Sequence, residues 1–379
     1  MSQLNETITT RTEEFTAKHA RLVKLLEQTG DDAVVLSSAG ALSWLLCGAR
    51  VHVSLAGPPI LRAVAHRDGV ELAVFNNEAE RIRAEELREL TDAPGLQIHE
   101  LAWHANIDDV ASWLPDSLRT VAEGSLADEG SAALPLREAR ASLLETEVQR
   151  YRALCQDAAG ALTEVLSEVT PSTTERQLAA ALAPWLISAG ADPVVLLVNG
   201  ESRARHRHPL PTDAALGRRA MAVVCARRDG LIANVTRWVR FGEASPEELE
   251  QEQAILEVEA DVFDALTPGT ALDTVLEVLK ESYPRHGFSQ AEWTLHHQGG
   301  AAGYQGRDPR VSPGVPDLIH SGQPFAWNPS AFSPQLGLGF KVEDTVLLRG
   351  AADLEILSTD ERWPTTEVRG RRRPLPLTR

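Results

Sequence analysis

Two histidines, a glutamate and an arginine give this sequence its clearest prospects for chemistry. His208 sits in the basic loop Arg203-Ala-Arg-His-Arg-His208-Pro, and His297 precedes the small-residue run Gln298-Gly-Gly-Ala-Ala-Gly303-Tyr304. An imidazole, with an ordinary pKa near 6.5, can take and give a proton near neutrality. Glu343 could hold such an imidazole or face a cationic group of a ligand. Two imidazoles and a carboxylate also suit zinc. His208, His297 and Glu343 fall on separate strands and loops, however, and no i, i+4 pair brings them together. The loop around His208 reads equally as a solvated or an anion-binding segment. The glycines before Tyr304 permit close backbone approach to a ligand. Arg307, in Arg307-Asp308-Pro309, could clamp a carboxylate with two hydrogen bonds or pair with Asp308.

Other catalytic patterns lack support. No Gly-x-Ser-x-Gly occurs, no cysteine has a histidine beside it, and the glycine run lacks the Lys-Ser/Thr ending of a phosphate loop. Cys225, next to Ala-Arg-Arg, could carry a lowered pKa, although a strand cysteine is more simply a core residue.

These residues need elements to position them. Apolar spacing predicts a helix over 13–30 stopped by a glycine, a buried strand at 31–38, a hairpin turning at 67–69 and a charged helix at 78–90. A helix-strand pattern continues to about 125, and 126–144 reads as the boundary stretch. Beyond it come helices from Glu145 to Glu164 and over 173–189, the latter opened by Ser172-Thr-Thr-Glu175. A strand at 193–200 precedes a hairpin over 221–242 that breaks at Arg228-Asp229-Gly230, and further helices are expected at 246–265 and 270–284. The expected domains are 1–140 and 145–360, and the basic, proline-interrupted 361–379 reads as a solvated tail.

Composition narrows the function classes. At 379 residues the chain suits two domains. A net charge of −17 argues against nucleic acid, whose phosphates need clustered cations. No apolar stretch approaches the roughly 18 residues of a membrane span. The polar start of the chain and three scattered cysteines fit reduced thiols in the cytoplasm.

Several segments add a resemblance: Ser43-Trp-Leu-Leu-Cys-Gly48, Val169-Thr-Pro-Ser-Thr-Thr-Glu175, His208-Pro-Leu-Pro-Thr-Asp213, Asn234-Val-Thr-Arg237 and Gly339-Phe-Lys-Val-Glu-Asp-Thr345. In that order, from about residue 15 to 360, they resemble the pitta-bread family of prolidase, proline-peptide aminopeptidase, methionine aminopeptidase and creatinase. The resemblance implies an α/β protein with a small creatinase-type N-terminal domain and a C-terminal pitta-bread domain. Trp44 and His52 are then plausible ligand contacts of the first domain.

The family's peptidases hold two divalent cations with two Asp, one His and two Glu, because adjacent dications need several anionic oxygens. Carried over singly, the second Asp falls on Asn234. The first falls on Val223, or on Cys225 if the hairpin is two residues shorter. The His falls on Gly300, with His297 three residues upstream. The first Glu falls on Asn328, and only the last is retained, as Glu343. The resemblance therefore implies a dismantled two-metal site with no cofactor or metal. The chain becomes a pseudo-peptidase binding a peptide or small ligand among His297, Tyr304, Arg307, Asn234, Asn328 and Arg237. One alternative is a metal-independent, creatinase-like hydrolase of a small C–N-bonded substrate, with His208 as acid/base and Glu343 as its partner. The other is an Xaa-Pro peptidase with an unusual metal site. Relatives lacking metal ligands serve as interaction domains, one of them in a histone chaperone subunit. The resemblance also implies a homodimer.

Overall fold

The computed structural model describes residues 10–114, 118–124, 132–351 and 353–379. The chain divides into two compact units, residues 1–148 and 149–379. Residues 125–131, within or beside the expected boundary stretch, lie outside the described residues.

The first unit opens with α1 (Arg11–Thr29). Thr10 and Glu13 satisfy each other's backbone N–H groups in a capping box, and Gly30 closes the helix at φ 78°. There follow β1 (Ala33–Leu36), α2 (Ala39–Leu45), β2 (Leu61–His66), β3 (Gly69–Phe75), α3 (Asn76–Arg81), β4 (Leu96–Leu101), β5 (Thr120–Ala122) and α4 (Ala133–Ala141). The five strands form one sheet in the order β4-β3-β2-β1-β5, with β3–β4 and β1–β5 parallel. The charged helix expected to 90 is shorter, since α3 passes into a π-helical turn at Ile82–Glu86. Trp44 belongs to the core rather than to a ligand contact: it is fully buried, and its carbonyl accepts from Lys18 Nζ at 2.8 Å. Lys18, also without solvent exposure, pairs with Glu14 (2.6 Å) and Glu147 (2.8 Å). A buried ammonium needs such counter-charges.

Helix α5 (Glu145–Leu166) carries the chain across the division, and α6 (Glu175–Ser188) begins at a second capping box, Thr174 with Gln177. Strands β6 (Asp192–Asn199), β7 (Arg219–Arg228) and β8 (Leu231–Arg240) form an antiparallel sheet. Asp229 and Gly230 both take positive φ (51° and 74°), the geometry of the tight hairpin turn expected there. Helices α7 (Pro246–Ala265) and α8 (Leu272–Arg285) follow. Next come β9 (Gly299–Ala301), β10 (Gln323–Trp327), β11 (Ser330–Ser333), β12 (Leu338–Lys341), β13 (Asp344–Gly350) and β14 (Asp353–Ile356). A second sheet runs β14-β13-β10-β9, and β11 pairs with β12. Phe263, Leu279, Tyr283, Phe325, Trp327 and Phe340 join these helices and strands in one core.

The end of the chain is not a solvated tail. β15 (Thr365–Val368) and β16 (Arg371–Pro374) make a hairpin, and β17 (Leu377–Thr378) adds to the edge of β8. Arg373, 2% exposed, is drawn inward by Glu259 at 2.6 and 2.7 Å and by Asp344 at 2.8 Å. Two buried carboxylates require a buried cation, so the basic sequence is used inside the fold. None of the described helices is long and apolar enough to cross a membrane.

Candidate functional site

A cavity of about 660 Å³ opens in the second unit, and most of the expected site residues line it: His208, Asn234, His297, Arg307, Asn328 and Glu343. The β7–β8 hairpin supplies one wall. Its register places Cys225 directly opposite Asn234, with Cys225 Sγ 3.2 Å from Asn234 Oδ1. Both candidates for the first family position, Val223 and Cys225, line this wall, and Cys225 is the one across from Asn234. Asn234 Nδ2 donates to Ile232 O at 3.0 Å, and the Asn234 backbone is locked to Thr345 Oγ1. Val195 and Leu197 on β6 pair with Cys225 and Val223 on β7, giving the cavity an apolar wall.

Glu343 stands opposite Thr236, whose N–H donates to its carbonyl and whose hydroxyl donates to Oε2 at 2.8 Å. Arg307 Nη2 donates to Glu343 Oε1 at 2.7 Å, and Lys341 Nζ lies 3.0 Å from Oε2. Burial alone would raise the carboxyl's pKa, but Lys341 and Arg307 hold it well below the ordinary range. Arg307 thus holds Glu343. Arg310 also lines the cavity, so three cations face one carboxylate there.

His208 is exposed at the edge, and its Nε2 lies 3.1 Å from Nε2 of His296. His297 stacks on His296, with ring centroids 4.4 Å apart. No hydrogen bond joins His208 to Glu343, so the acid/base pair shares the cavity without forming a dyad. Burial pushes His296 down to about 2 and His297 to about 3, with Lys341 and Arg307 respectively adding to the effect. His208 is lowered too, by burial of its inner side and by Lys341. All three imidazoles are therefore neutral at pH 7.

The basic loop before His208 is anchored at two of its arginines, while Arg205 and His206 between them are exposed. Arg203 pairs with the fully buried Glu175, and Arg207 with Glu292. Burial would raise the pKa of Glu175, but bonds from Thr212, the Gly200 N–H and Arg203 keep it below the ordinary value. These ion pairs pin the loop and aim His208.

Four expectations need correction. Arg237 does not reach the cavity: it is 4% exposed and donates to Asp344 Oδ1 and Ser358 O, both at 2.8 Å. On β8 Asn234 lines the cavity and Thr236, two positions on, bonds Glu343, so Arg237 faces the other way. Tyr304 is buried and does not line the cavity. The glycines are shaped by the chain itself. A Cβ on Gly300 (φ 144°) would lie 2.3 Å from Pro309 O, and one on Gly299 (φ 125°) 2.6 Å from Ala326 O. Cys225 likewise has no lowered pKa; burial and then Glu343 push its thiol up to about 12.

Sequence reading missed Lys341, Arg310 and His296. Lys341 was accessible, because Lys341-Val342-Glu343 alternates as a strand does and puts the ammonium on the carboxylate's face. Arg310 and His296 sit in irregular segments with no period to betray them.

With this architecture in view, the relationship to known proteins is direct. Residues 149–350, more than half of the chain, match metallopeptidase family M24, and the chain belongs to that family. Among its relatives is an Xaa-Pro dipeptidase of Pyrococcus furiosus, 22% identical over 218 residues that cover 56% of this chain and 62% of that protein. The match to the Xaa-Pro dipeptidase of Pyrococcus horikoshii likewise spans only 65% of its length. The solved prolidase from Pyrococcus horikoshii aligns at a TM-score of 0.74, over 91% of this chain and 99% of that one, at 19% identity. Dipeptidase PepE from Mycobacterium ulcerans gives the same score over 92% and 96% at the same identity. The fold is accordingly the expected α/β one, an N-terminal domain followed by a pitta-bread domain.

Proposed function

We propose that this chain is a peptidase-lineage protein whose cavity binds a small anionic ligand, such as a short peptide or an amino-acid derivative, in place of a two-metal centre. The observation that carries this reading is the state of Glu343. The one carboxylate kept at the positions that resemblance assigns to metal ligands is already neutralised by Arg307 and Lys341. Two adjacent dications need bridging anionic oxygens. The residues at the other four positions are Val223 or Cys225, Asn234, Gly300 and Asn328, which carry no charge. The thiol is held protonated by burial, and the Asn234 amide is engaged with Ile232 O. This donor set does not fit a dinuclear cluster, and two fixed cations stand beside Glu343, the one carboxylate among the described residues that line the cavity.

The same groups suit an anion. Arg310 and Lys341 face the cavity with Arg307, and the surplus of positive charge is set in a chain of net charge −17. Among the cavity-lining residues, buried atoms without partners include Arg307 Nε, a donor, and Asn328 Oδ1, an acceptor. A ligand with both an anionic oxygen and an N–H satisfies both, and buried polar atoms left unpaired are costly.

The test combines metal content with ligand binding on the full chain. After exposure to excess manganese or cobalt, elemental analysis should find no two-ion stoichiometry, and Xaa-Pro dipeptides should not be hydrolysed. A panel of acyl-amino acids and dipeptides should raise the melting temperature saturably, and Arg310→Gln should weaken that effect by about tenfold, the loss of one exposed charge contact of about 1.4 kcal/mol. Two bound ions per chain together with dipeptide hydrolysis would sink the reading.

A further inference from the structure

The three imidazoles at the cavity's edge are a separate arrangement from the family's ligand positions. We infer that His208, His296 and His297 form a mononuclear site for a borderline transition-metal ion, zinc or copper(II), bound through nitrogen alone. One ligand atom from each lies within 4.8 Å of the other two. His208 Nε2 and His296 Nε2 are 3.1 Å apart. Two nitrogens each about 2.0–2.1 Å from a tetrahedral ion are separated by roughly 3.3 Å, so this pair needs almost no movement. His297 must close by a rotation of its ring.

The alternative is a structural stack of aromatic rings, and its energetics are poor. His296 is 7% exposed, and its Nδ1 has no hydrogen-bond partner; the same holds for Nδ1 of His297. A buried imidazole that leaves a ring nitrogen unpaired loses the desolvation free energy of that atom. What carries the site is the convergence itself: three neutral imidazoles each bring one ring nitrogen within 4.8 Å of the other two, the donor set that a mononuclear nitrogen site needs. Positioning is also provided for: Arg207 and Arg203 pin the loop that presents His208, and Gln298 Nε2 donates to His296 O at 2.5 Å.

The surroundings select the ion. Lys341, Arg307 and Arg310 oppose any dication, and Glu343 offsets only part of that. Hard ions such as magnesium, manganese and calcium depend on anionic oxygens and are therefore excluded. Zinc and copper(II) bind imidazole strongly enough to tolerate the unfavourable field. Two of the three ligands line the cavity and His208 is exposed, so an ion held here has an open side toward the cavity. This site does not rest on the anion-binding reading.

The full chain, stripped with a chelator and dialysed, is titrated with zinc by calorimetry and with cobalt(II) by visible absorption. One ion per chain is expected, with the intense d–d bands of a low-coordinate cobalt centre and little response to manganese. His208→Ala, at the exposed edge where folding is least at risk, should weaken zinc binding more than about 100-fold, since even an outer-shell partner is worth 10–100-fold. His297→Ala should do the same, and His206→Ala, on the same loop outside the cluster, should change nothing. The inference is overturned by absence of zinc binding to the intact chain, or by undiminished binding in both His208→Ala and His297→Ala. Two manganese ions per chain would overturn it together with the anion-binding reading, whereas a zinc-free chain that still binds carboxylates leaves the latter standing.

Discussion

Glu343 and Asp344 are consecutive residues, both almost fully buried, both paired with two cations, and they do different things. Strand alternation turns Glu343 toward the cavity and Asp344 toward the core. Asp344 accepts from Arg237, Arg373 and Ser358, and Arg373 also binds Glu259 through two bonds. That network ties β8, α7, β13 and the C-terminal hairpin together. Glu343, by contrast, is held by Arg307 and Lys341, which themselves line an open space. The lesson is that a carboxylate buried among cations is structural or functional according to where its partners' remaining hydrogen-bonding atoms point.

The sharpest test is to break each cluster by one residue. Arg373→Met keeps the volume and removes the charge, leaving Glu259 and Asp344 buried against each other. Breaking a buried pair from one side costs about 3–5 kcal/mol, and urea denaturation should show that loss with carboxylate binding intact in the folded protein. Glu343→Gln should cost less, about 1–3 kcal/mol, because the amide can still accept from Arg307 and the cavity lets water reach Lys341. It should also strengthen binding of small carboxylates, since it removes the one negative charge among three positive ones. If Glu343→Gln proves the more destabilising, or leaves carboxylate binding weaker, the distinction between the two clusters fails.

This distinction was only partly legible in the amino-acid order. The hairpin at Asp229-Gly230 could be read from its turn residues, and with it the wall that carries Asn234. Parity along β8 then decides the rest: Asn234 and Thr236 share a face, so Arg237 belongs to the other side, with Asp344. Placing Arg237 in the pocket followed the motif Asn234-Val-Thr-Arg237 as a block and ignored that alternation. The glycines at 299 and 300 were legible as a close approach, but their partners are the chain's own carbonyls, which no local pattern reveals. His296 illustrates the limit. It lies next to His297 in a segment without period, and only the return of the His208 loop, pinned by Arg207 on Glu292, makes the pair a cluster. The end of the chain reads as basic and solvated because its buried carboxylate partners, Glu259 and Asp344, are separated from Arg373 by 114 and 29 positions.

Cys225 gives the smallest and most specific test, one that begins on the unaltered protein. Its thiol faces Asn234 at the cavity wall, the Glu343 side of the comparison. Burial and the neighbouring Glu343 raise its pKa to about 12, while Arg307 and Lys341 only partly oppose this. An acid whose pKa is raised stays protonated below that value, so at pH 8 the native thiol is overwhelmingly S–H, whereas an unfolded cysteine, near pKa 8.5, is partly thiolate. Alkylation at pH 8 should therefore be slower at Cys225 in the native chain than in the denatured chain by at least about 100-fold, with mass spectrometry identifying the site. Burial, the larger cause, remains in Glu343→Gln, but the one group that raises the pKa is removed and both cations stay in place, so labelling of Cys225 should accelerate in that variant. In Arg373→Met it should not change while the chain remains folded. Rapid labelling of Cys225 in the unaltered protein would mean that the cations around Glu343 are stronger, or nearer to the thiol, than the geometry gives, and would make this wall a reactive surface rather than a neutral one.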